Sequence, residues 1–197
     1  MTRAFIAFKL PADVVDSLKV LQSGLKKRGH NLRWVHPENI HLTLKYLGDV
    51  PAEELQEVKH VIGEVARHQV VFSIEAKGLG VFPTVKKARV LWSGIHGDVT
   101  RLNSLQATLD QTLAAIGFEP EKRPFRGHLT LGRFKRRADG KKLASMLSEF
   151  GSYASPPLVP ERLILFKSDL KPSGAVYTEL AGADLSIDSN SIHGKTD

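Results

Sequence analysis

The tetrapeptide His41-Leu-Thr-Leu44 returns unchanged as His128-Leu-Thr-Leu131, 87 residues further along the chain. With this composition, two independent copies amount to an event on the order of 10⁻⁵, so the repeat reflects organisation. An extended strand alternates its side chains. His41 and Thr43 therefore take one face and Leu42 and Leu44 the other, and His128 and Thr130 stand opposite Leu129 and Leu131 in the same way. The leucines anchor each strand to a core. The imidazoles and hydroxyls are poor packing material, because each one buried without a partner costs about 1–3 kcal/mol. They mark a polar cleft.

Working outward, similar intervals surround the two copies. A strand signal at Arg3–Leu10 is ended by Pro11 and carries Phe5, 36 residues before His41; the run Arg89–Ile95 carries Leu91, 37 before His128. Val71-Phe72 and Leu158-Val159 sit equally far beyond each histidine. Helical spacing links Val14, Leu18, Leu21 and Leu25 before Gly29, and then Leu55, Val58, Ile62 and Val65 after Pro51. It returns at Leu102, Leu105, Leu109, Leu113 and Ile116 before Gly117, and at Leu143, Met146, Leu147 and Phe150 before Gly151. Further strands are predicted at Leu32–Val35, Ile40–Leu47, Val70–Ile74, His128–Phe134, Leu158–Leu165 and Val176–Leu180. The pattern predicts two similar α+β lobes with no Gly/Ser/Pro linker between them. Residues 1–185 form one bilobal domain in this reading, and 186–197 a polar tail.

Composition narrows the chemistry. The 197 residues are 42% hydrophobic and 25% charged, as in ordinary globular domains. Cysteine is absent, which excludes disulfide scaffolds, thiolate metal sites and cysteine nucleophiles. Apolar runs fall far short of the roughly 20 residues that span a bilayer, and Ala4–Phe8 is too short for a signal-peptide core. A soluble, cytoplasmic, monomeric protein is expected. Its net charge of +7 is concentrated: Lys122–Lys142 holds nine basic residues and one acid, Asp139, leaving the remainder slightly acidic. Such a field attracts phosphate-bearing partners.

If the lobes face each other across an approximate two-fold, both His-Thr pairs converge on one cleft. Two imidazoles with ordinary values near 6.5 divide between neutral and protonated forms at neutral pH, as paired base and acid catalysis requires. Threonine hydroxyls and an arginine donate to anionic oxygens. A phosphoester suits both, with no metal or cofactor required.

The chain resembles the 2H phosphoesterases, and among them the bacterial and archaeal RNA 2′,3′-cyclic phosphodiesterases, or 2′-5′ RNA ligase-like proteins. The resemblance rests on Arg3-Ala-Phe-Ile-Ala7, Trp34 to Gly48 with the first His-x-Thr-x, and Arg89 to Gly94. It continues through Phe125-Arg-Gly-His-Leu-Thr-Leu-Gly-Arg133 and Leu165 to Tyr177 with Ser168, Gly174 and Tyr177. It implies a bilobal α+β fold, two antiparallel-type sheets flanked by helices around a central cleft. It also implies metal-independent opening of an RNA 2′,3′-cyclic phosphate end to a 2′-phosphomonoester, with reversal giving 2′-5′ ligation. By motif position, His41 is implied as proton donor and His128 as proton acceptor, with Thr43, Thr130 and Arg133 as phosphate contacts. The family commonly has proline before the second histidine where this chain has Gly127. Strict alternation would send Arg133 to the wrong face, so a bulge at Gly132 is needed to return it.

Two other classes fit the same residues: an RNA-end binding module, and a phosphodiesterase for a small nucleotide such as ADP-ribose 1″,2″-cyclic phosphate. His36 with His41 lacks a third ligand at metal spacing. Gly78-Leu-Gly80 reads as a turn or bulge and not a dinucleotide loop. Trp34, Trp92 and Phe125 are candidates for core packing or base stacking.

Overall fold

A computed structural model describes residues 1–172 and 174–187. Among them, eight strands and four helices run in the order β1 (Thr2–Lys9), α1 (Ala12–Lys26), β2 (Leu32–Trp34), β3 (His41–Val50), α2 (Glu54–Arg67), β4 (Ile74–Phe82), β5 (Val90–Gly97), α3 (Val99–Ala115), β6 (His128–Phe134), α4 (Gly140–Glu149), β7 (Arg162–Lys171) and β8 (Gly174–Asp184). The helices bury most of the stripes that spacing assigned to them, including Val14, Leu18, Leu21 and Leu25 on α1 and Leu102, Leu105, Leu109 and Leu113 on α3, while Leu55, Ile116, Leu147 and Phe150 are only partly buried against the core.

The expected two sheets are two wings of one antiparallel sheet, ordered β4-β5-β6-β3-β1-β7-β8 with β2 added beside β6. The wings join where the motif strands meet, through the single pair Leu42↔Leu129. Those two leucines, with Leu44 and Leu131, are at most 3% exposed in one continuous core. Burying each contributes about 1.5–3 kcal/mol, and a one-residue slip would exchange leucines for histidines, so the register is strongly set.

The sequence repeat and the spatial wings do not coincide. Each repeat supplies two central strands to its own wing, β1 with β3 and β5 with β6, but its third strand crosses over: β4 pairs with β5, and β7 with β1. The halves are therefore interlocked. Register also aligns Leu91 with Ile6 instead of Phe5, because Leu91 pairs with Gly132 and Ile6 with Lys45, which hold the same position in the two motif strands.

Two strand predictions shift. Val70 makes only an isolated bridge before β4 begins at Ile74, and Leu158 makes another before β7 begins at Arg162. Pro156, Pro157 and Pro160 deprive the second stretch of the donors a ladder needs. Gly78 is a bulge, as read: the β4–β5 register shifts between Lys77 and Leu79, and Gly78 has φ 67°. Of the predicted tail, Ser186 is tied down by a parallel bridge to Val70 and by its hydroxyl, which donates to the Arg67 carbonyl at 2.7 Å. Residues 188–197 lie outside the described residues.

Candidate active site

Because Leu42 and Leu129 pair directly and face the core, their neighbours share the opposite face. Antiparallel register sets His41 toward Thr130 and Thr43 toward His128. All four are half-buried. Each imidazole is oriented alike: Nδ1 of His41 donates to the Asn39 carbonyl at 2.8 Å, and Nδ1 of His128 to the Arg126 carbonyl at 2.8 Å. A proton fixed on Nδ1 leaves Nε2 as the titrating atom, a base when neutral and an acid when charged.

The backbone beyond each threonine is repeated too. Register against β1 skips Leu44, and register against β5 skips Leu131, so each motif strand bulges at its fourth residue. The extra residue is Leu131 and not Gly132. It flips the alternation, so that Phe134 returns to the core at 8% exposed and Arg133 joins the face of His128 and Thr130. Each bulge is met from beneath by a buried glutamine. The Gln22 side-chain amide on α1 donates to the carbonyls of Leu131 at 3.0 Å and Val35 at 2.9 Å; Gln106 on α3 donates to Leu44 at 3.4 Å.

The surroundings then diverge. His41 stacks on Phe5 at 4.7 Å between centroids and meets the edge of Tyr177 at 5.1 Å, with Phe166 at 6.5 Å. Burial lowers its pKa against the pull of the Asn39 bond, and the charge of His128 lowers it slightly further. His128 has Phe82 at 5.0 Å and Trp92 at 6.4 Å, both edge-on. Trp92 lies across Gly80, where a Cβ would come within 2.2 Å of the indole. Burial raises the pKa of the Tyr177 hydroxyl, and the positive charges of Arg133 and Arg3 oppose that shift. Arg3 also covers the Tyr46 ring at 5.1 Å, and Tyr46 occupies in β3 the position that Arg133 holds in β6.

The structure thus gathers His41, Thr43, His128, Thr130 and Arg133 on one face. Trp34 and Phe125 pack against the core, and Lys26 lies 5.7 Å over the Trp34 ring. Gly127 has no left-handed φ, and a Cβ there would meet Leu102 at 3.1 Å. Sequence reading missed Phe82, Phe166 and both glutamines. The last had a signal: Leu18-x-x-Leu-Gln-x-x-Leu25 and Leu102-x-x-Leu-Gln-x-x-Leu109 are a second repeat, with a polar residue set in each apolar stripe.

Two imidazoles, two hydroxyls and a guanidinium on one face of the sheet are the side chains a two-histidine phosphoesterase site would require. The chain belongs to the family described as LigT-like phosphoesterase, whose family model matches residues 8–92 and 97–177. It is 34% identical to the RNA 2′,3′-cyclic phosphodiesterase of Methanothermobacter thermautotrophicus over 90% of this chain and 96% of that one. It is 32% identical to the protein of that name from Aquifex aeolicus, over 90% and 94%. Among solved structures, TT0787 of Thermus thermophilus superposes with TM-score 0.77 at 27% identity, covering 94% of this chain and 99% of that one. E. coli LigT complexed with 3′-AMP does so with TM-score 0.75 at 25% identity, covering 94% and 98%. No described helix is long and apolar enough to cross a membrane.

Proposed function

We propose that this protein hydrolyses RNA ends bearing a 2′,3′-cyclic phosphate to 2′-phosphomonoesters without a metal, acting as a cytoplasmic monomer. The observation that carries the reading is the pair of imidazoles with matched Nδ1 anchors on one cleft face. Water attacks phosphorus as its proton passes to Nε2 of His128. The P–O3′ bond breaks as Nε2 of His41 delivers a proton to O3′. Solvent then restores both rings. The two roles follow the motif positions; because burial lowers the His41 pKa, the bound phosphate anion must stabilise its imidazolium before it can act as the acid. Thr43, Thr130 and Arg133 hold the phosphate oxygens, with Arg133 offering a bidentate fork.

The deciding assay is product analysis on a cyclic-phosphate oligonucleotide in excess chelator, with a 2′-monophosphate expected. A 3′-monophosphate, chelator sensitivity, or salt-dependent binding with no product overturns the reading, the last in favour of an RNA-end binding module. An activated aryl leaving group tests the roles. His41→Ala should lose far less on that ester than on the cyclic phosphate, whereas His128→Ala should lose equally on both.

A further inference from the structure

Past the bulge, β6 carries Arg133 to the side where β2 is added, and register sets Arg33 directly opposite it. The adjoining pair Leu32↔Phe134 is buried, so alternation turns both arginines to the cleft face, and both are exposed. Among the described residues, the arginines in ion pairs are Arg28, Arg67, Arg101 and Arg162; Arg33 and Arg133 have no carboxylate partner. Like charges directly opposite in a sheet repel, and no carboxylate among the described residues pairs with either arginine. An anion between them would relieve the repulsion. The strand then runs into Lys135, whose amide donates to the Asn31 carbonyl at 3.0 Å, and on to exposed Arg136 and Arg137. The basic window is thus continuous with the cleft, leading away from the histidines.

We propose that Arg33 holds the phosphodiester preceding the terminal nucleotide, with Arg133 bridging it to the reacting phosphate. The site would then select an RNA chain over an isolated nucleoside cyclic phosphate. This rests on the phosphodiesterase reading above, and it adds a subsite to it. Guanidinium forks match phosphate bidentately, and a strand carrying one phosphate per nucleotide supplies the second anion that a lone nucleoside cyclic phosphate lacks.

The test compares a short oligonucleotide ending in 2′,3′-cyclic phosphate with a nucleoside 2′,3′-cyclic phosphate. The proteins are wild type, Arg33→Gln, Arg33→Lys, and Arg67→Gln as a control for lost charge elsewhere. Arg33→Gln should lower the ratio of kcat/KM for oligonucleotide over nucleoside roughly tenfold, through KM, with partial recovery in Arg33→Lys and no change in Arg67→Gln. Binding of a non-reacting oligonucleotide ending in a 2′-phosphate, followed by anisotropy against salt, should lose about one unit of log–log slope. The ligand-free Arg33→Gln protein should melt higher at low salt, as repulsion is relieved. An unchanged ratio, equal loss on both substrates, an unchanged salt slope or a lower melting temperature each overturns the proposal. A wild-type protein that turns over neither substrate overturns the phosphodiesterase reading instead, and the anisotropy arm still decides Arg33.

Discussion

Strands β3 and β6 carry the same four residues, bulge at the same leucine, receive the same kind of glutamine bond and anchor each Nδ1 on the carbonyl two residues back. They differ in what stands around them. His41 is walled by Phe5, Phe166 and Tyr177, because β7 and β8 extend that wing; the wing of His128 ends at β4, so it has Phe82, the counterpart of Phe166, but no equivalent of Tyr177. After the bulge, β3 has buried Lys45 and exposed Tyr46 where β6 has Gly132 and Arg133. Duplication supplied two equal imidazoles, and one extra strand on one wing made them unequal.

The largest test of that contrast is removal of each ring. His41→Ala and His128→Ala should each lower kcat by about 10²–10⁴ on the cyclic phosphate while the circular-dichroism spectrum is kept. A protein retaining wild-type turnover after either change would show that the two strands are not functional partners. Next comes Lys45, whose ammonium pairs with Asp110 at 2.5 Å and donates to the Glu119 carbonyl at 2.6 Å. Lys45→Met leaves the nearly buried Asp110 carboxylate without its counter-charge, held only by the Glu121 backbone N–H at 3.0 Å, and should cost roughly 3 kcal/mol in urea unfolding. β6, with Gly132 at that place, has no corresponding liability.

Smaller effects test the shared scaffold. Gln22→Leu withdraws donors from the Leu131 and Val35 carbonyls and should cost about 1–3 kcal/mol; Gln106→Leu, whose bond is longer, should cost less by the same measurement. Equal losses would contradict that ranking. The smallest effect is in pH dependence. Burial holds His41 neutral below the ordinary value of 6.5, so the unfolded chain binds the proton more readily than the folded one. The free protein should therefore lose stability as pH falls from that ordinary value through the folded one, and His41→Phe should remove this component. A pH–stability curve unaltered by that substitution would mean the ring is not desolvated.

Most of the fold was legible because its signals are local. The Leu42/Leu44 and Leu129/Leu131 alternation, the helical stripes and the equal intervals announced the strands, helices and duplication. His41, Thr43, His128 and Thr130 followed from the same alternation. Arg133 was harder, since its side depends on a single extra residue at Leu131, and a bulge is visible only when two strands are in register. The aromatic wall was not readable, because Phe5, Phe166 and Tyr177 come from three strands far apart in the chain.

By itself the sequence determined that two copies of one strand would each offer a histidine and a threonine opposite a leucine anchor, since side-chain alternation is a property of a single extended chain. Only the tertiary structure decided that the third strand of each repeat crosses to the other wing, that the bulges turn Arg133 into the cleft beside Arg33, and that His41 is the desolvated partner. These depend on which distant strands lie side by side, and pairing between strands is set by burial of the whole core.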